Sequence, residues 1–158
     1  MRSSRVKTFI LSSLAAVLFL TGCGRSALFT QAVDFHDIWP KDKAAKFVVP
    51  VSDTVAPYNF YINIRHTGKY RYSNLYLFME TRFPDGKYTR DTLEIMLANV
   101  QGKWLGKGWG EIKEDHVLLK RKLRFPLSGD YTFLIWQAMR VDTLKAVKSV
   151  GLEIECAK

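Results

Sequence analysis

Period-two alternation of apolar and polar side chains recurs along this sequence and limits its fold more than any other feature. Between residues 59 and 66, Phe60, Ile62 and Ile64 alternate with polar or amphipathic neighbours. This pattern is typical of a strand with one buried face. Similar segments follow, separated by turn residues such as the Pro-Asp-Gly-Lys sequence at 84–87. They cover residues 74–83, 88–98, 117–125, 131–139 and 150–157.

Two shorter apolar segments, 29–35 and 47–51, bring the total to about eight strands, with almost no helical periodicity. Short strands at regular spacing, separated by turns, are typical of antiparallel sandwiches. We therefore predict an all-β, antiparallel β-sandwich of Greek-key or jelly-roll type, formed as one domain by residues 31–158. Two segments are candidate exceptions: a helical turn at 112–115 and a short helix at 142–148, capped by Asp142.

The first 23 residues have the pattern of a bacterial lipoprotein leader. Three basic residues precede an apolar run from Thr8 to Leu20, which is too short to span a bilayer comfortably. Gly22 then precedes Cys23 at the expected cleavage point. We predict that residues 1–22 are a signal peptide, that Cys23 carries diacylglycerol and a further acyl chain such as palmitate, and that 23–30 form a tether. Two or three acyl chains would hold the protein firmly at a membrane.

The charge of the mature chain narrows the range of partners. Removing residues 1–22 leaves 136 residues with a net charge of +6, because the leader contains three basic residues and no acidic ones. This balance favours acidic partners such as lipid headgroups or acidic proteins. We expect no nucleic-acid partner, because an exported protein does not meet nucleic acid and the basic residues look spread along the chain. Cys156 is the only cysteine besides Cys23, so no internal disulfide is expected.

A glycine-rich loop at residues 99–111 is the main candidate for partner binding. It contains Trp104 and Trp109 beside Lys103 and Lys107. Its glycines fit neither the P-loop nor the dinucleotide-binding spacing. Aromatic residues dominate interaction hot spots, so the two tryptophans and two lysines are candidate contacts for a protein or a glycan. The alternative is that one or both tryptophans fold back and close the end of the sandwich.

We identify no catalytic residues, no metal site and no cofactor in the sequence. The three histidines lie in no recognisable metal-binding spacing, and no Gly-x-Ser-x-Gly elbow is present. A glycosidase-like pair of carboxylates could be assembled from distant residues, but nothing in the sequence selects two. A hydrolase is therefore the least favoured of the functional hypotheses.

Exposed tyrosines suggest an alternative function. Tyr61 and Tyr76 lie on strands and alternate with the apolar residues expected in the core. Tyrosines on one sheet face can stack on sugar rings, so these two are candidates for a glycan-binding face. Equally, tyrosines at the margin of a sandwich can pack their rings while the hydroxyl stays in water.

Seven segments, taken in order, form a distinctive series. They are YNFYINIR (58–65), YSNLYLF (72–78), FPDGK (83–87), DTLE (91–94), GKWLGKG (102–108), GDYTF (129–133) and QAMRV (137–141). With the Gly22-Cys23 pair, the series resembles the GldH family of gliding-motility lipoproteins of Bacteroidetes bacteria. The resemblance implies a role in gliding and in the associated type IX secretion machinery. It implies acylation of Cys23 and supplies no catalytic residue.

These observations together favour a non-enzymatic lipoprotein that supports a cell-envelope machine through protein contacts. A lipid-anchored glycan-binding module is the alternative. Gly24 is not the aspartate that retains lipoproteins in the inner membrane of enteric bacteria, and residues 24–26 lack an acidic surface-export signal. We therefore predict the outer membrane, facing the periplasm, with the inner membrane and the cell surface as less favoured locations.

Overall fold

The computed structural model describes residues 27–157, and none of these residues is helical. Ten strands account for most of them. They are β1 (Ala27–Asp34), β2 (Ile38–Pro40), β3 (Ala45–Val51), β4 (Tyr58–Thr67), β5 (Asn74–Arg82), β6 (Tyr88–Met96), β7 (Ile112–Leu123), β8 (Gly129–Gln137), β9 (Thr143–Lys145) and β10 (Val147–Cys156). Within residues 27–157 no helix is long and apolar enough to cross a membrane.

Eight of these strands form two antiparallel four-stranded sheets. Sheet I has the order β1-β10-β4-β7, and sheet II has the order β3-β8-β5-β6. The chain changes sheet at every connection between these eight strands except the β5–β6 hairpin, which is the arrangement of a jelly roll. The short strands β2 and β9 pair with each other as a separate ribbon. The predicted all-β antiparallel sandwich is therefore confirmed, and the strand order selects the jelly-roll form.

The core lies between the two sheets and is built by the predicted alternation. Strand β4 buries Phe60, Ile62 and Ile64, whereas Tyr61 between them points away. On β5, Leu75 and Leu77 are fully buried. Phe60 of sheet I reaches Phe133 of sheet II, with ring centroids 6.2 Å apart, so aromatic contacts cross the full thickness of the core.

The two ends of the sandwich carry different loops and side chains. At one end Ala27 pairs with Glu155, and Tyr58 of β4 pairs with Leu123 of β7. Phe125 closes this end of the core, with its ring 5.4 Å from that of Tyr58. We call it the Ala27 end. The opposite end, which we call the Trp104 end, carries the β4–β5 loop (68–73) and the β6–β7 loop (97–111).

Three segments differ from the sequence-based expectations. Residues 112–115 begin strand β7 rather than a helical turn, because they pair with residues 64–67 of β4. The helix expected over 142–148 is also wrong: β9 pairs with β2, and Val147 already pairs with His66. The expected tether, 23–30, overlaps β1, which begins at Ala27 and buries Phe29 in the core. Cys23 and the leader lie outside the described residues.

Candidate functional site: the glycine-rich loop

The glycine-rich loop, defined in the structure as residues 97–111, is held to the sandwich at both of its ends. The amide of Leu105 donates to the carbonyl of Leu97 over 2.8 Å. Lys107 and Glu114 exchange two backbone hydrogen bonds of 2.9 and 2.7 Å. At the tip, Asn99 accepts from the amides of Gln101 and Lys103 through its side-chain oxygen. The loop is therefore a short, hydrogen-bonded extension of strands β6 and β7 with a defined path.

A buried histidine–carboxylate contact lies directly under this loop. His66 on β4 is fully buried, and its Nε2 lies 3.2 Å from Oδ2 of Asp115 on β7, which is almost as buried. The other ring nitrogen, Nδ1, lies 3.0 Å from the carbonyl oxygen of Thr67. A carbonyl oxygen can only accept, so Nδ1 carries a proton. Among the described residues neither Nε2 nor Oδ2 has a hydrogen-bond partner, so the 3.2 Å contact between them is the polar contact that each atom makes.

The carboxylate of Asp115 also explains one of the loop glycines. A Cβ atom added to Gly106 would lie 2.6 Å from Oδ2 of Asp115 and 3.0 Å from the carbonyl oxygen of Glu114. Contacts this short do not occur for real side chains. The loop can therefore lie against the buried Asp115 only because residue 106 has no side chain.

Trp104 packs on the same buried group and covers it. Its ring lies edge-on to His66, with centroids 4.7 Å apart, and the ring of Tyr70 lies 5.6 Å from His66. Burial raises the pKa of the Tyr70 hydroxyl, with a smaller contribution from Tyr72. That hydroxyl therefore stays protonated and donates to the carbonyl of Asn74 over 2.9 Å. Trp104 thus anchors the loop and is only partly exposed.

Trp109 has the opposite environment. Its side chain is 99% exposed, and Val100 and Leu105 on the same loop are 96% and 53% exposed. Lys103 and Lys107 are exposed beside them. Of the four residues predicted as partner contacts, the structure thus places Trp109, Lys103 and Lys107 on the surface, with Trp104 beneath them as the anchor. An exposed tryptophan on a loop held by hydrogen bonds has the character of an interaction hot spot.

The buried pair does not form a reaction centre. Trp104 and the Gly106 backbone cover it, and neither His66 nor Asp115 reaches solvent to a useful degree. Among residues 27–157 no group of three or more His, Cys, Asp and Glu side chains could hold a metal ion. The buried pair thus lies beneath the loop, and the loop displays Trp109.

The two candidate glycan-binding tyrosines do not come together. Tyr61 lies on the outer face of sheet I and stacks on His116, with ring centroids 4.3 Å apart. Tyr76 lies on the outer face of sheet II, where its hydroxyl bonds to Glu94 and its pKa is raised as a result. Period-two alternation shows that both residues point outward, but it does not show that they point outward from opposite sheets.

Sheet II carries an aromatic surface that includes the predicted Tyr76 and extends beyond it. Tyr72, Tyr76 and Phe78 are 37%, 38% and 42% exposed, and Trp136 on β8 pairs with Phe78. Tyr72 and Tyr76 line a shallow groove with Arg140. The two-residue spacing of Tyr76 and Phe78 on β5 was visible in the sequence, but the contribution of Trp136 from β8 depended on the strand order.

Comparison with known proteins adds to this geometry. The model of the family described as "GldH lipoprotein" matches residues 27–154, a range that starts at the first residue of β1 and ends inside β10. The chain belongs to the GldH lipoprotein family. The resemblance found in the sequence is thereby confirmed, and the GldH match covers the sandwich itself.

Two relatives extend the GldH match over nearly the whole chain. The "Gliding motility lipoprotein GldH homolog" of Christiangramia forsetii is 35% identical over 146 residues, covering 88% of this chain and 90% of that protein. The "Gliding motility lipoprotein GldH" of Flavobacterium johnsoniae is 33% identical over 158 residues, covering 96% and 98%. Among solved structures, a chain of infectious bursal disease virus Gx strain covers 82% of this chain and 32% of its own length at 9% identity. Its TM-score of 0.31 is too low to indicate a shared fold.

Proposed function

We propose that this chain is a non-enzymatic lipoprotein, anchored in the outer membrane through Cys23, that supports a gliding-associated machine of the cell envelope through protein contacts. The support for the anchor is the Gly22-Cys23 leader pattern and the lipoprotein names of the GldH relatives. The support for a periplasm-facing outer-membrane position is the sequence after Cys23. The link to type IX secretion comes from the family resemblance.

The exposure of Trp109 is the observation that carries the contact hypothesis. Trp109 is 99% exposed, with Val100 and Leu105 exposed on the same loop, and tryptophan is enriched among the residues that dominate binding energy at interfaces. Lys103 and Lys107 beside it favour an acidic rim on the partner surface. The hydrogen bonds of the loop mean that little ordering is required when a partner binds, which favours affinity.

Site-specific crosslinking tests this hypothesis. A photo-reactive amino acid is placed at position 109 of the intact lipoprotein in native envelopes, and a matched chain carries it at Tyr88. Tyr88 is also exposed, at 65%, but lies at the Ala27 end of the sandwich. We expect discrete envelope-protein adducts from position 109 that are absent from position 88.

A substitution separates the contact from the stability of the domain. Trp109→Ala removes no buried contact, so its unfolding free energy should stay within about 0.5 kcal/mol of the parent. We expect this variant to reach normal abundance in the envelope and to lose co-purification of the crosslinked proteins. Retention of the same proteins by Trp109→Ala would show that the contact surface lies elsewhere.

A glycan-binding function is the second candidate, and the aromatic surface of sheet II is the observation that favours it. Tyr72, Tyr76, Phe78 and Trp136 offer flat rings on one face, with Arg140 at the groove. A flat aromatic surface with polar edges suits a sugar ring, which has an apolar face and hydroxyls around it.

Binding to cell-envelope polysaccharide distinguishes the glycan-binding function from the protein-contact function. Tyr76→Ala alters the aromatic surface of sheet II, whereas Tyr61→Ala alters a tyrosine on sheet I and serves as the matched control. Retention on a polysaccharide affinity gel that is lost only with Tyr76→Ala would support a glycan function. If the parent domain is not retained on the gel, the glycan hypothesis is rejected and only the protein-contact hypothesis remains.

A further inference from the structure

A cluster of positive charge lies at the Ala27 end of the sandwich, opposite the glycine-rich loop. Four of the five residues from Lys120 to Arg124 are basic, so the expectation that basic residues are spread along the chain is wrong here. We call residues 120–124 the basic run. All five side chains are exposed, including Leu123 at 46%. The first four residues of the run form the end of β7, which is an edge strand of sheet I, and Arg124 follows directly after the strand.

The backbone of the basic run is irregular in a way that spreads its side chains. Lys122 has a φ of 54°, in the left-handed region that non-glycine residues rarely adopt. Its amide donates to the side-chain oxygen of Asn59 over 3.0 Å, and the β4–β7 register shifts on both sides of Phe60. Such a bulge re-aims the side chains that follow it. The four basic side chains are therefore not confined to the alternating faces of a regular strand.

None of these four cations forms an ion pair with a carboxylate within the part of the chain that the structure describes. The acidic side chains of the same end are largely committed elsewhere. Glu80 accepts from Arg82 and Arg90, Asp85 pairs with Lys87, and Asp53 accepts from two backbone amides. Three acidic side chains remain at this end: Asp91 and Asp130 on sheet II, across the sandwich from the run, and Glu155 on β10 of sheet I, which is only 8% exposed.

An apolar cleft opens beside the basic run, between the edge strands β6 and β7. Its volume is about 130 Å³. Phe60, Met79 and Phe83 form part of its apolar floor, whereas Lys120 and Arg124 stand on its wall, with Asp91 on the opposite strand. A dry cavity of about 150 Å³ can hold a benzene-sized group. The cleft therefore has room for one short apolar group such as part of an acyl chain.

The position of β1 determines how the Ala27 end is oriented relative to the membrane. Only three residues, 24–26, lie between Cys23 and Ala27. The four residue-to-residue steps therefore span at most about 14 Å. Ala27 lies in the same end row of sheet I as Tyr58 and Leu123, three strand spacings from β7, or about 14 Å. A chain acylated at Cys23 therefore brings the basic run close to the membrane surface. Val55 and Leu127, in loops of the same end, are exposed apolar side chains.

We infer that the Ala27 end is a membrane-contact surface, in which the basic run binds phosphorylated headgroups of anionic lipids and the adjacent cleft takes an apolar group. The inference rests on the acylation of Cys23 proposed above. Charge complementarity selects anionic lipid over neutral lipid, because each Lys or Arg near an anionic surface adds attraction. The short tether selects a membrane surface over an acidic protein in solution.

Vesicle flotation tests the inference without the acyl chains. The chain from residue 24 onward contains all ten strands and the entire core, so it carries what the fold requires. Its binding is compared between phosphatidylcholine vesicles with and without phosphatidylglycerol. We expect binding about 100-fold stronger to the anionic vesicles. Binding to the anionic vesicles should be lost when the salt concentration rises from about 0.15 M to about 1 M, because the screening length falls from about 8 to about 3 Å.

Two matched variants locate the binding surface, because each removes four positive charges. The test variant replaces the basic run with glutamine: Lys120→Gln, Arg121→Gln, Lys122→Gln and Arg124→Gln. The control variant alters exposed residues at the Trp104 end: Lys69→Gln, Arg71→Gln, Lys103→Gln and Lys107→Gln. We expect the test variant to lose at least about tenfold in binding to anionic vesicles and the control to lose little. Equal losses, or no preference of the parent for anionic vesicles, would overturn the inference.

A second measurement uses the lipidated full chain and is independent of affinity. Once Cys23 is acylated, Cys156 is the only free thiol, and it is exposed at the Ala27 end. A fluorophore on Cys156 should be strongly quenched by a nitroxide carried on lipid headgroups. The same fluorophore at Lys103→Cys, in a Cys156→Ser background, should be quenched weakly. Equal or reversed quenching would refute this orientation, while the partner contact at Trp109 would be judged separately by its own crosslinking.

Discussion

Replacing Asp115 with alanine is expected to lower the free energy of unfolding by between about 2 and 5 kcal/mol. The range follows from the surroundings of His66, which is fully buried with Nε2 facing only the Asp115 carboxylate. An unsatisfied buried donor costs about 1–3 kcal/mol, and a buried charge that loses its partner costs about 3–5 kcal/mol. For a domain of this size the loss corresponds to a fall in Tm of roughly 6–25 °C.

Urea denaturation of three variants tests the reasoning behind this value. His66→Leu leaves the carboxylate unpaired and should also destabilise, whereas the double variant should lose less than the sum by about 1–3 kcal/mol. Glu114→Ala is the control, because Glu114 is the adjacent residue, is exposed and makes only a long 3.9 Å contact with Arg65. It should change stability by less than about 0.5 kcal/mol. Additive losses in the double variant, or an Asp115→Ala loss no larger than that of Glu114→Ala, would refute the role assigned to the pair.

Other regions of the sandwich give further expectations. Ile62→Ala removes a fully buried side chain from the centre of β4 and should cost about 2–5 kcal/mol, measured by the same denaturation. Gly106→Ala forces a Cβ within 2.6 Å of the Asp115 carboxylate, so amide hydrogen exchange of Leu105 and Lys107 should accelerate while that of β8 stays unchanged. Hydrogen bonds from Arg90 and Arg82 lower the pKa of Glu80 below its usual 4.5, so the stability it contributes is present above that value and is lost as pH falls through the lowered pKa. Glu80→Gln should therefore flatten the acid side of a plot of urea midpoint against pH, and an unchanged slope would contradict that assignment.

The strands were predictable from the sequence where their own alternation is strong. Phe60, Ile62 and Ile64 face the core as expected, and the Pro84–Lys87 turn joins the one hairpin that stays within a sheet. Prediction failed for residues 112–115 and 142–148, whose local preference is weak. Residues 112–115 pair with β4, and β9 within the second segment pairs with β2. These partners lie far away in sequence, and their pairing overrides the local propensity.

The candidate site was predictable only in part, for a related reason. The glycine-rich loop and its tryptophans stand out in the sequence, but the difference between Trp104 and Trp109 depends on His66, which lies on another strand. Nothing in the sequence pairs His66 with Asp115, because their contact comes from the register of β4 against β7. The basic run, by contrast, is contiguous and could have been counted directly. Its significance required the position of Ala27 at the same end.

The two ends of the sandwich together limit which partners can reach the glycine-rich loop. Strand β4 has ten residues, so about 30 Å separates the Ala27 end from the Trp104 end. With the Ala27 end on the membrane and a tether of at most about 14 Å, Trp109 lies between about 30 and 45 Å above the bilayer surface. A membrane protein that ends flush with the lipid cannot meet it. A partner that contacts Trp109 must project across this distance from the same membrane or approach from the side that faces away from that membrane, and an interaction that bridges layers of the envelope fits this geometry.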